Sequence, residues 1–343
     1  MQRKTVGRAT YEAGPNIALV KYWGVRDPSL GLPNNSSLSV TLARFRTRTT
    51  VAFEPERVRD EFRLNGDPVR GSAWEDVVRF LDRVRQRAGI SQRAAVTSTN
   101  NFPTASGLAS SASGFAALAG AATLAAGLAL PDRGLSQLAR LGSGSASRSV
   151  FGGFVEWRAG TRRDGRDCYA RPIAGERHWP GLVDRIAIVR DAPTKSVRSA
   201  VAMQWTVATS PEYARRLVEV PGRIARLKRA IRHRDARTFF ATIIEECDSF
   251  RRVCETTLPT LDYLTPTSRA ILEEVRAANA RAGRPIAAYT HDAGAHVHVF
   301  TQLKDLPRLR RRLARVPGVD RWITLRPGPG GRPLPTQRRP ARR

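Results

Sequence analysis

A run of small residues, PTASGLASSAS, extends from Pro103 to Ser113 and leads directly into the alanine-rich stretch GFAALAGAA of Gly114–Ala122. Alanine is the strongest helix former, so the second stretch predicts a helix. In the run before it, small side chains leave the backbone N–H groups accessible, and the first helical turn adds unpaired N–H groups and the positive end of the helix dipole. The stretch therefore predicts a loop that binds phosphate at the start of a helix. A small-residue loop that only caps a buried helix is the alternative.

Ser110 and Ser111 add hydroxyl groups that can contact a phosphate or the Mg²⁺ bound to it. The run contains neither Gly-x-x-x-x-Gly-Lys-Ser/Thr nor Gly-x-Gly-x-x-Gly, which are the signatures of the P-loop and of the dinucleotide-binding fold. The two commonest nucleotide-binding folds are therefore disfavoured.

The composition is that of a globular protein with room for two domains. The chain has 343 residues, of which 41% are hydrophobic and 26% are charged, and a chain of this length can form two cores. Its three cysteines, Cys168, Cys247 and Cys254, form no Cys-x-x-Cys pair and leave one over. This usage predicts a reducing compartment without structural zinc, so we expect a cytoplasmic protein.

Neither a secretory signal nor a membrane span is expected. The first residues, MQRKTVGR, carry charge with no apolar segment behind it. The longest apolar stretch, Phe115–Leu130, is too short and too rich in alanine and glycine to cross a bilayer. It predicts a buried helix.

The formal net charge of +28 is the strongest feature of the composition. Such an excess admits nucleic-acid binding, because phosphate neutralisation dominates that kind of association. The arginines are spread along the chain, however, and neither an aromatic RNA-binding motif nor a helix-turn-helix pattern accompanies them. Nucleic-acid binding is therefore not favoured, and the charge also suits small polyanionic substrates.

Short apolar runs predict strands, and longer periodic runs predict helices. The predicted strands are 17–22, 36–42, 46–53, 94–99, 154–157, 186–189, 286–290 and 297–301. The predicted helices are 74–88, 114–128, 196–209, 211–233, 236–256 and 266–281. We therefore predict an α/β (α+β two-layer) fold with one domain at 1–181, a second at 182–327, and a basic tail without fixed structure at 328–343.

Three polar residues lie on one early predicted strand. In an extended strand Asn16 and Tyr22 share a face and Lys21 points to the opposite one. An apolar strand with polar ends is the simpler interpretation.

The segment Gly142–Ser149 is a second candidate anion site, since it alternates glycine and serine and ends close to an arginine. If a helix begins near Ser147, Ser145 and Arg148 lie on one face and can hold a carboxylate or phosphate together. A flexible loop with a surface arginine is the alternative.

Asp292 lies in a predicted turn between two apolar strands, where an acidic residue most often accepts hydrogen bonds from the backbone. His296 and His298 have the spacing of one strand face but no neighbouring cysteine or carboxylate cluster. We therefore expect Mg²⁺ bound through ATP phosphates and no transition-metal site.

Taken in order, these segments resemble the mevalonate diphosphate decarboxylase family, within the superfamily of galactokinase, homoserine kinase, mevalonate kinase and phosphomevalonate kinase. The resemblance extends from residue 13 to about residue 301. The segments that carry it are Asn16–Gly24, Asn35–Leu42, Asn100–Ala112, Gly142–Ser149, Gly152–Trp157, Thr209–Pro211 and Asp292–Gly294. Lys-Tyr-Trp-Gly and Gly-Ser-Gly-Ser-Ala-x-Arg-Ser favour the decarboxylases over the ordinary kinases.

The resemblance implies a ribosomal-protein-like β-α-β domain that binds ATP, a ferredoxin-like C-terminal domain, a cleft between them for a phosphorylated mevalonate, and a homodimer. It implies that Asp292 deprotonates the C3 hydroxyl, that Arg148 holds the substrate carboxylate, that Asn16 holds Arg148, and that Ser111 positions the γ-phosphate and Mg²⁺. The implied substrate ligands are Tyr22, Ser143, Ser145 and Ser199. The implied ATP ligands are Asn101, Ser106, Gly107, Leu108, Ala109, Ser110 and Ser111.

One position departs from the family pattern. Diphosphate-specific members commonly have lysine after the glycine of Lys-Tyr-Trp-Gly, where this chain has Val25. Arg26 or Arg198 can compensate, and mevalonate 5-diphosphate remains the expected substrate. The alternatives are the same reaction on mevalonate 5-phosphate, giving isopentenyl phosphate, and a small-molecule kinase that does not decarboxylate.

Overall fold

The computed structural model of the protein describes residues 7–102, 110–192 and 197–335. The strands in this part of the chain are β1 (Arg8–Ala13), β2 (Asn16–Val20), β3 (Val25–Asp27), β4 (Leu32–Pro33), β5 (Ser37–Thr41), β6 (Thr47–Glu54), β7 (Glu61–Leu64), β8 (Asp67–Pro68), β9 (Arg93–Asn100), β10 (Phe154–Trp157), β11 (Ala170–Ala174), β12 (Leu182–Val189), β13 (Ala287–Thr290), β14 (Val297–Gln302), β15 (Val319–Leu325) and β16 (Arg332–Leu334). The helices are α1 (Gly71–Ala88), α2 (Ser110–Ala125), α3 (Asp132–Arg140), α4 (Ala146–Ser149), α5 (Ser199–Thr209), α6 (Glu212–His233), α7 (Ala236–Glu255), α8 (Pro266–Arg281) and α9 (Leu306–Leu313).

The largest sheet has six strands in the order β16-β1-β6-β9-β7-β8. Helix α2 packs on it through alanine and glycine, whose small side chains let the helix approach the strands closely. At Gly120 an added Cβ would lie 2.3 Å from Cγ of Tyr11 on β1. The alanine-rich helix is thus buried against the sheet, as the sequence predicted.

A four-stranded sheet, β11-β10-β5-β2, lies beside helices α6 and α7. Every residue of β2 and of β5 is buried, because one apolar cluster joins Ile17 and Leu19 of β2 to Leu227 of α6 and Phe240 of α7. This packing fixes the end of β2 against the C-terminal helices, and that end leads into the candidate site.

The third large sheet is antiparallel, with the order β13-β14-β12-β15. Helix α8 packs on it, with Ile271 and Val275 in one cluster with Tyr289 and Val297. An antiparallel sheet covered by helices agrees with the expected ferredoxin-like domain, and the mixed α/β fold class is confirmed. The limits of the two domains remain a prediction.

The expectation that the chain has no fixed structure from residue 328 is wrong for residues 328–335. Strand β16 pairs antiparallel with β1 at the edge of the six-stranded sheet. Before this strand, Gly330 packs on the backbone of Gly152. A Cβ added at Gly330 would lie 2.7 Å from the Gly152 nitrogen. The glycines here serve a close backbone contact. Residues 336–343 lie outside the described residues.

None of the helices in the described ranges combines the length and the apolar character needed to span a membrane.

Candidate active site

One large cavity, of about 1180 Å³, contains most of the predicted site residues. Single small-molecule sites are commonly about 300–1,000 Å³, so this one has room for two ligands. Its walls come from the end of β2, the first turn of α2, the segment 140–148, the start of α5 and the turn after β13. Among the described lining residues are five cationic side chains and one carboxylate, that of Asp292.

Asp292 forms an ion pair with Lys21 in this cavity. Lys21 Nζ lies 2.8 Å from Asp292 Oδ1 and also donates to the carbonyl oxygen of Ala18 at 2.7 Å. The prediction that Lys21 points away from Tyr22 is wrong, because β2 ends at Val20 and the strand alternation stops there. Both Lys21 and Tyr22 line the cavity.

The surroundings of Asp292 keep its carboxylate ionised. Burial raises the pKa of Asp292, but the charge and hydrogen bond of Lys21 lower it, and His298 and Arg148 lower it further, so the pKa lies below its usual value. His291, next to it, is buried beside Lys21, and these two causes lower the pKa of His291 to about 4. The imidazole is therefore neutral at neutral pH, and Nδ1–H donates to the Asp292 carbonyl at 2.8 Å.

Arg148 is held by two side chains from the N-terminal strands. Its Nε donates to Oδ1 of Asn16 at 3.0 Å, and its Nη1 donates to Oγ of Ser37 at 2.6 Å. The predicted contact with Asn16 is thus present. Burial lowers the pKa of Arg148 to about 10, so it remains a cation at neutral pH. No bond of Nη2 is found among the described residues, which leaves this group for a ligand.

The serines before Arg148 lie on the same wall. Ser143 Oγ and Ser145 Oγ are 3.2 Å apart, and both residues line the cavity beside Tyr22. The glycines of this segment are required by packing: an added Cβ at Gly144 would lie 2.7 Å from the Tyr22 ring. Close packing therefore explains the glycine that the sequence suggested as part of an anion loop.

The predicted ATP ligands are only partly within the described residues. Ser110 and Ser111 line the cavity, whereas Ser106, Gly107, Leu108 and Ala109 lie outside the described part of the chain. Asn101 is not brought to the cavity. Its amide accepts from the Arg46 backbone N–H at 2.7 Å and donates to the Arg44 carbonyl at 2.7 Å.

At the opposite wall, Ser199 and Arg198 line the cavity at the start of α5. Arg198 also forms an exposed ion pair with Asp76 of α1 at 2.5 Å. Arg26, the other arginine expected to compensate for Val25, points elsewhere and donates to the carbonyl groups of Pro33, Gly160 and Arg162.

The two histidines of the predicted strand serve the packing of the third sheet. His298 Nδ1 lies 2.6 Å from Asp184 Oδ2, and His296 Nδ1 accepts from the Val189 N–H at 3.2 Å. His296 precedes β14, which begins at Val297. Over the residues that the structure describes, no three His, Cys, Asp or Glu side chains are grouped so as to hold a metal ion.

Lys21 is the functional candidate to which the sequence analysis gave no role. The chain carries 58 lysines and arginines, and only Lys4, Lys21, Lys195, Lys228 and Lys304 are lysines. A lysine at the end of an apolar run, in a chain that otherwise uses mostly arginine, is a signal that could have identified it. Lysine differs from arginine in being a compact point charge.

The site suits two polyanionic ligands. Hydroxyl groups, arginines and a lysine surround a single carboxylate, and Ser110 and Ser111 stand at the first turn of a 16-residue helix. Oxygen ligands are those that Mg²⁺ prefers, and it usually binds together with substrate phosphates. The residues present therefore fit a magnesium nucleotide.

Two family models match the chain. A model described as the diphosphomevalonate decarboxylase-like N-terminal domain matches residues 13–170. A second, described as the mevalonate 5-diphosphate decarboxylase C-terminal domain, matches residues 185–324. Together they cover most of the chain.

Individual proteins agree with these matches. Diphosphomevalonate decarboxylase mvd1 of Aspergillus fumigatus is 41% identical in an alignment of 320 positions that covers 88% of this chain and 78% of that protein. The solved mevalonate diphosphate decarboxylase from Enterococcus faecalis superposes with a TM-score of 0.89 at 36% identity, over 96% of this chain and 99% of that one. A solved complex of MDDEF with MVAPP, AMPPCP and magnesium has the same TM-score, identity and coverage.

Proposed function

Because the chain belongs to the diphosphomevalonate decarboxylase family, we propose that it is the ATP-dependent enzyme that converts mevalonate 5-diphosphate to isopentenyl diphosphate. ADP, phosphate and CO₂ are the other products. The observation that carries this proposal is that an ionised carboxylate and a buried arginine line one cavity: Asp292, and Arg148, whose Nη2 has no partner within residues 7–102, 110–192 and 197–335.

The first step is phosphorylation of the C3 hydroxyl. Asp292 accepts the hydroxyl proton, and the oxygen attacks the γ-phosphorus of ATP while ADP leaves. Lys21 orients Asp292 and keeps it ionised until the proton moves. Phosphoryl transfer depends on positioning and on neutralised charge more than on covalent chemistry, and these are the functions that an ion-paired carboxylate in a cationic cavity supplies.

The second step expels phosphate and CO₂. A tertiary hydroxide is a poor leaving group, whereas the C3 phosphate departs with the C–O electron pair and leaves positive charge at C3. The C1–C2 bond then breaks, its electron pair forms the C2=C3 double bond, and C1 leaves as CO₂. Arg148, fixed by Asn16 and Ser37, holds the carboxylate in line for this cleavage.

Ser110 and Ser111 would hold the nucleotide phosphates and Mg²⁺. The ion, when bound, neutralises charge on the phosphate oxygens. Tyr22, Ser143, Ser145, Ser199 and Arg198 supply hydroxyl groups and one cation for the 5-diphosphate. Burial raises the pKa of Tyr22, so its hydroxyl remains a donor.

The finer features of the assignment are proposed with it. We place the protein in the cytoplasm, in accord with its three cysteines, all of which are buried and unpaired in the structure. We also propose a homodimer, and an ATP-binding domain at 1–181 followed by a ferredoxin-like domain at 182–327.

The test is to incubate the purified chain with ATP, Mg²⁺ and either mevalonate 5-diphosphate or mevalonate 5-phosphate, and to measure ADP and CO₂. We expect equal amounts of ADP and CO₂ from the diphosphate. ADP without CO₂ would identify a kinase that stops at the 3-phosphate. Faster turnover of the monophosphate would overturn the substrate assignment, and no product from either substrate would overturn the function.

A further inference from the structure

A buried group of three charged residues, the Glu246 triad, lies behind the active site. Glu246 of α7 accepts from Arg216 Nη2 at 2.5 Å and from Arg223 Nη1 at 3.1 Å. The three side chains are at most 2% exposed. Buried ion pairs add little net stability compared with apolar residues of the same volume, so their presence calls for another reason.

The triad contacts the main chain of Lys21. Glu246 Oε1 accepts from the Lys21 N–H at 2.9 Å, and Arg216 Nη2 donates to the Lys21 carbonyl at 3.3 Å. Asn35 donates to the same carbonyl at 2.9 Å. Strand β2 ends one residue earlier, so these side chains replace the backbone partners that Lys21 would otherwise need when buried.

The side chain of Lys21 is fixed at its other end by the Ala18 carbonyl and by Asp292. Its backbone N–H, its carbonyl and its ammonium group therefore all have partners. Glu246 is the member of the triad that binds the Lys21 N–H, and it contacts both arginines.

We propose that Glu246 is a positioning residue of the reaction, which fixes the Lys21 backbone so that the ammonium group reaches Asp292. Glu246 is not among the residues that line the cavity. The proposal rests on the proposed function for its kinetic consequences but not for its geometry.

The groups that face Asp292 from the surrounding elements are Lys21, Arg148 and His298, and His291 adjoins it in the chain. Of these, only Lys21 is connected to Glu246 by a hydrogen bond among the described residues. If the loss of Glu246 displaces Lys21, Asp292 loses its ion-pair partner, whereas Arg148 and His298 remain near Asp292.

The test compares Glu246→Gln with Arg223→Met. Both variants remove charge from the triad. Among the described residues, however, Arg223 forms no hydrogen bond with Lys21, and the Glu246 carboxylate keeps its bonds to Lys21 and Arg216 without it. For Glu246→Gln we expect kcat to fall roughly tenfold to a hundredfold, as misplacement of a group outside the reaction centre can do. The KM for MgATP should stay within about threefold, and the acid limb of kcat/KM should move to higher pH. Arg223→Met should lower thermal stability, but its kcat and the acid limb of its kcat/KM profile should stay near those of the parent.

A further measurement does not depend on enzymatic activity. Lys21 is one of five lysines, so the folded full-length protein can be treated with acetic anhydride and then digested, and the acylation of Lys21 followed by mass spectrometry of the peptides. We expect faster acylation of Lys21 in Glu246→Gln than in the parent or in Arg223→Met, with Lys228 as the internal reference.

The proposal is overturned if folded Glu246→Gln keeps the parent kcat, acid limb and Lys21 acylation rate, or if Arg223→Met changes them equally. Should Glu246→Gln not fold, the triple variant Arg216→Met, Glu246→Leu, Arg223→Met leaves no buried charge behind and carries the same expectation. A triple variant that is fully active, or that also fails to fold, overturns the proposal. If the parent releases no CO₂, the proposed function fails, and the acylation rates still decide the role of Glu246.

Discussion

Lys21 and Asp292 are 271 residues apart in sequence, and their side chains meet at 2.8 Å in the cavity. The pair joins the end of β2 to the turn after β13. A carboxylate held by an ammonium group in this way is oriented and ionised before a substrate arrives, which is the state that a general base needs.

Replacing Asp292 with asparagine should abolish turnover and spare nucleotide binding. The amide cannot accept the C3 hydroxyl proton, and loss of a positioned base lowers rates by about 10²–10⁴. Steady-state kcat and the Kd for MgATP, measured on Asp292→Asn, check this. Asp262→Asn, which removes an exposed partner of Arg269, is the control. A near-normal kcat in Asp292→Asn would remove this residue from the mechanism.

Replacing Lys21 with methionine should raise the pKa of Asp292, because burial raises it and the main opposing cation is gone. A base with a raised pKa is protonated at higher pH, so the acid limb of kcat/KM should move to higher pH. The measurement is kcat/KM from pH 5 to 8 for Lys21→Met, with Lys228→Met as control. An unmoved limb would show that another group governs it.

Replacing Arg148 with lysine should lower kcat by roughly 10²–10³, since an ammonium group cannot keep the bonds to Asn16 and Ser37 while it also holds a carboxylate. The KM for MgATP should be unchanged. Arg185→Lys is the control, because it makes the same exchange at another buried arginine, whose guanidinium stacks on Trp322 in the third sheet. If nucleotide affinity falls and kcat does not, Arg148 belongs to the nucleotide site.

Arg198 should favour the diphosphate over the monophosphate, because it lines the cavity with a cation at the start of α5. We expect Arg198→Ala to lower kcat/KM roughly tenfold for mevalonate 5-diphosphate and less for mevalonate 5-phosphate. Arg79→Ala is the matched control, since Arg79 pairs with the same Asp76 carboxylate but does not line the cavity. Equal losses on both substrates would rule out selective recognition of the terminal phosphate.

Acid should destabilise the fold through two buried histidines. Burial and Lys21 lower the pKa of His291 to about 4, and burial and His298 lower the pKa of His296 to about 4. An unfolded histidine has a pKa of about 6.5, so between these values the unfolded chain binds protons that the folded chain does not. Each histidine should therefore reduce the free energy of unfolding by roughly 2–3 kcal/mol as the pH falls from 7 to 4.

Urea unfolding at several pH values measures this effect. In His291→Asn the slope of stability against pH should be smaller between pH 4 and 6.5, while replacement of the exposed His233 should leave it as it was. A slope unchanged in His291→Asn would contradict the assignment.

Local patterns predicted much of the secondary structure and several site residues. The strand Phe154–Trp157 and the helix Pro266–Arg281 are confirmed to the residue, because apolar periodicity and a proline in the first helical turn are local signals. Asp292 and Arg148 were found through short motifs, and their roles stay predictions. The sequence analysis does not predict strand β1, although its six residues, RATYEA, alternate polar and apolar, because two of the three apolar residues are alanine, which is depleted in strands.

What the sequence could not supply is the set of contacts between distant segments. Lys21 was assigned to the wrong face because the end of β2 is set by packing against α6 and α7 and by Glu246, which is 225 residues away. Likewise the partner of Arg148 on β5, Ser37, has no local signal. Only the sheet order brings these groups together.

The short strand β16, Arg332–Leu334, pairs with β1, which lies more than 300 residues earlier in the chain. Strand β1 is flanked by β6 on one side and by β16 on the other. A chain cut before residue 328 would leave the amide and carbonyl groups of β1 unpaired along a bare edge, which is a template for aggregation between molecules. Strand β16 thus covers one edge of the six-stranded sheet and protects the protein against aggregation.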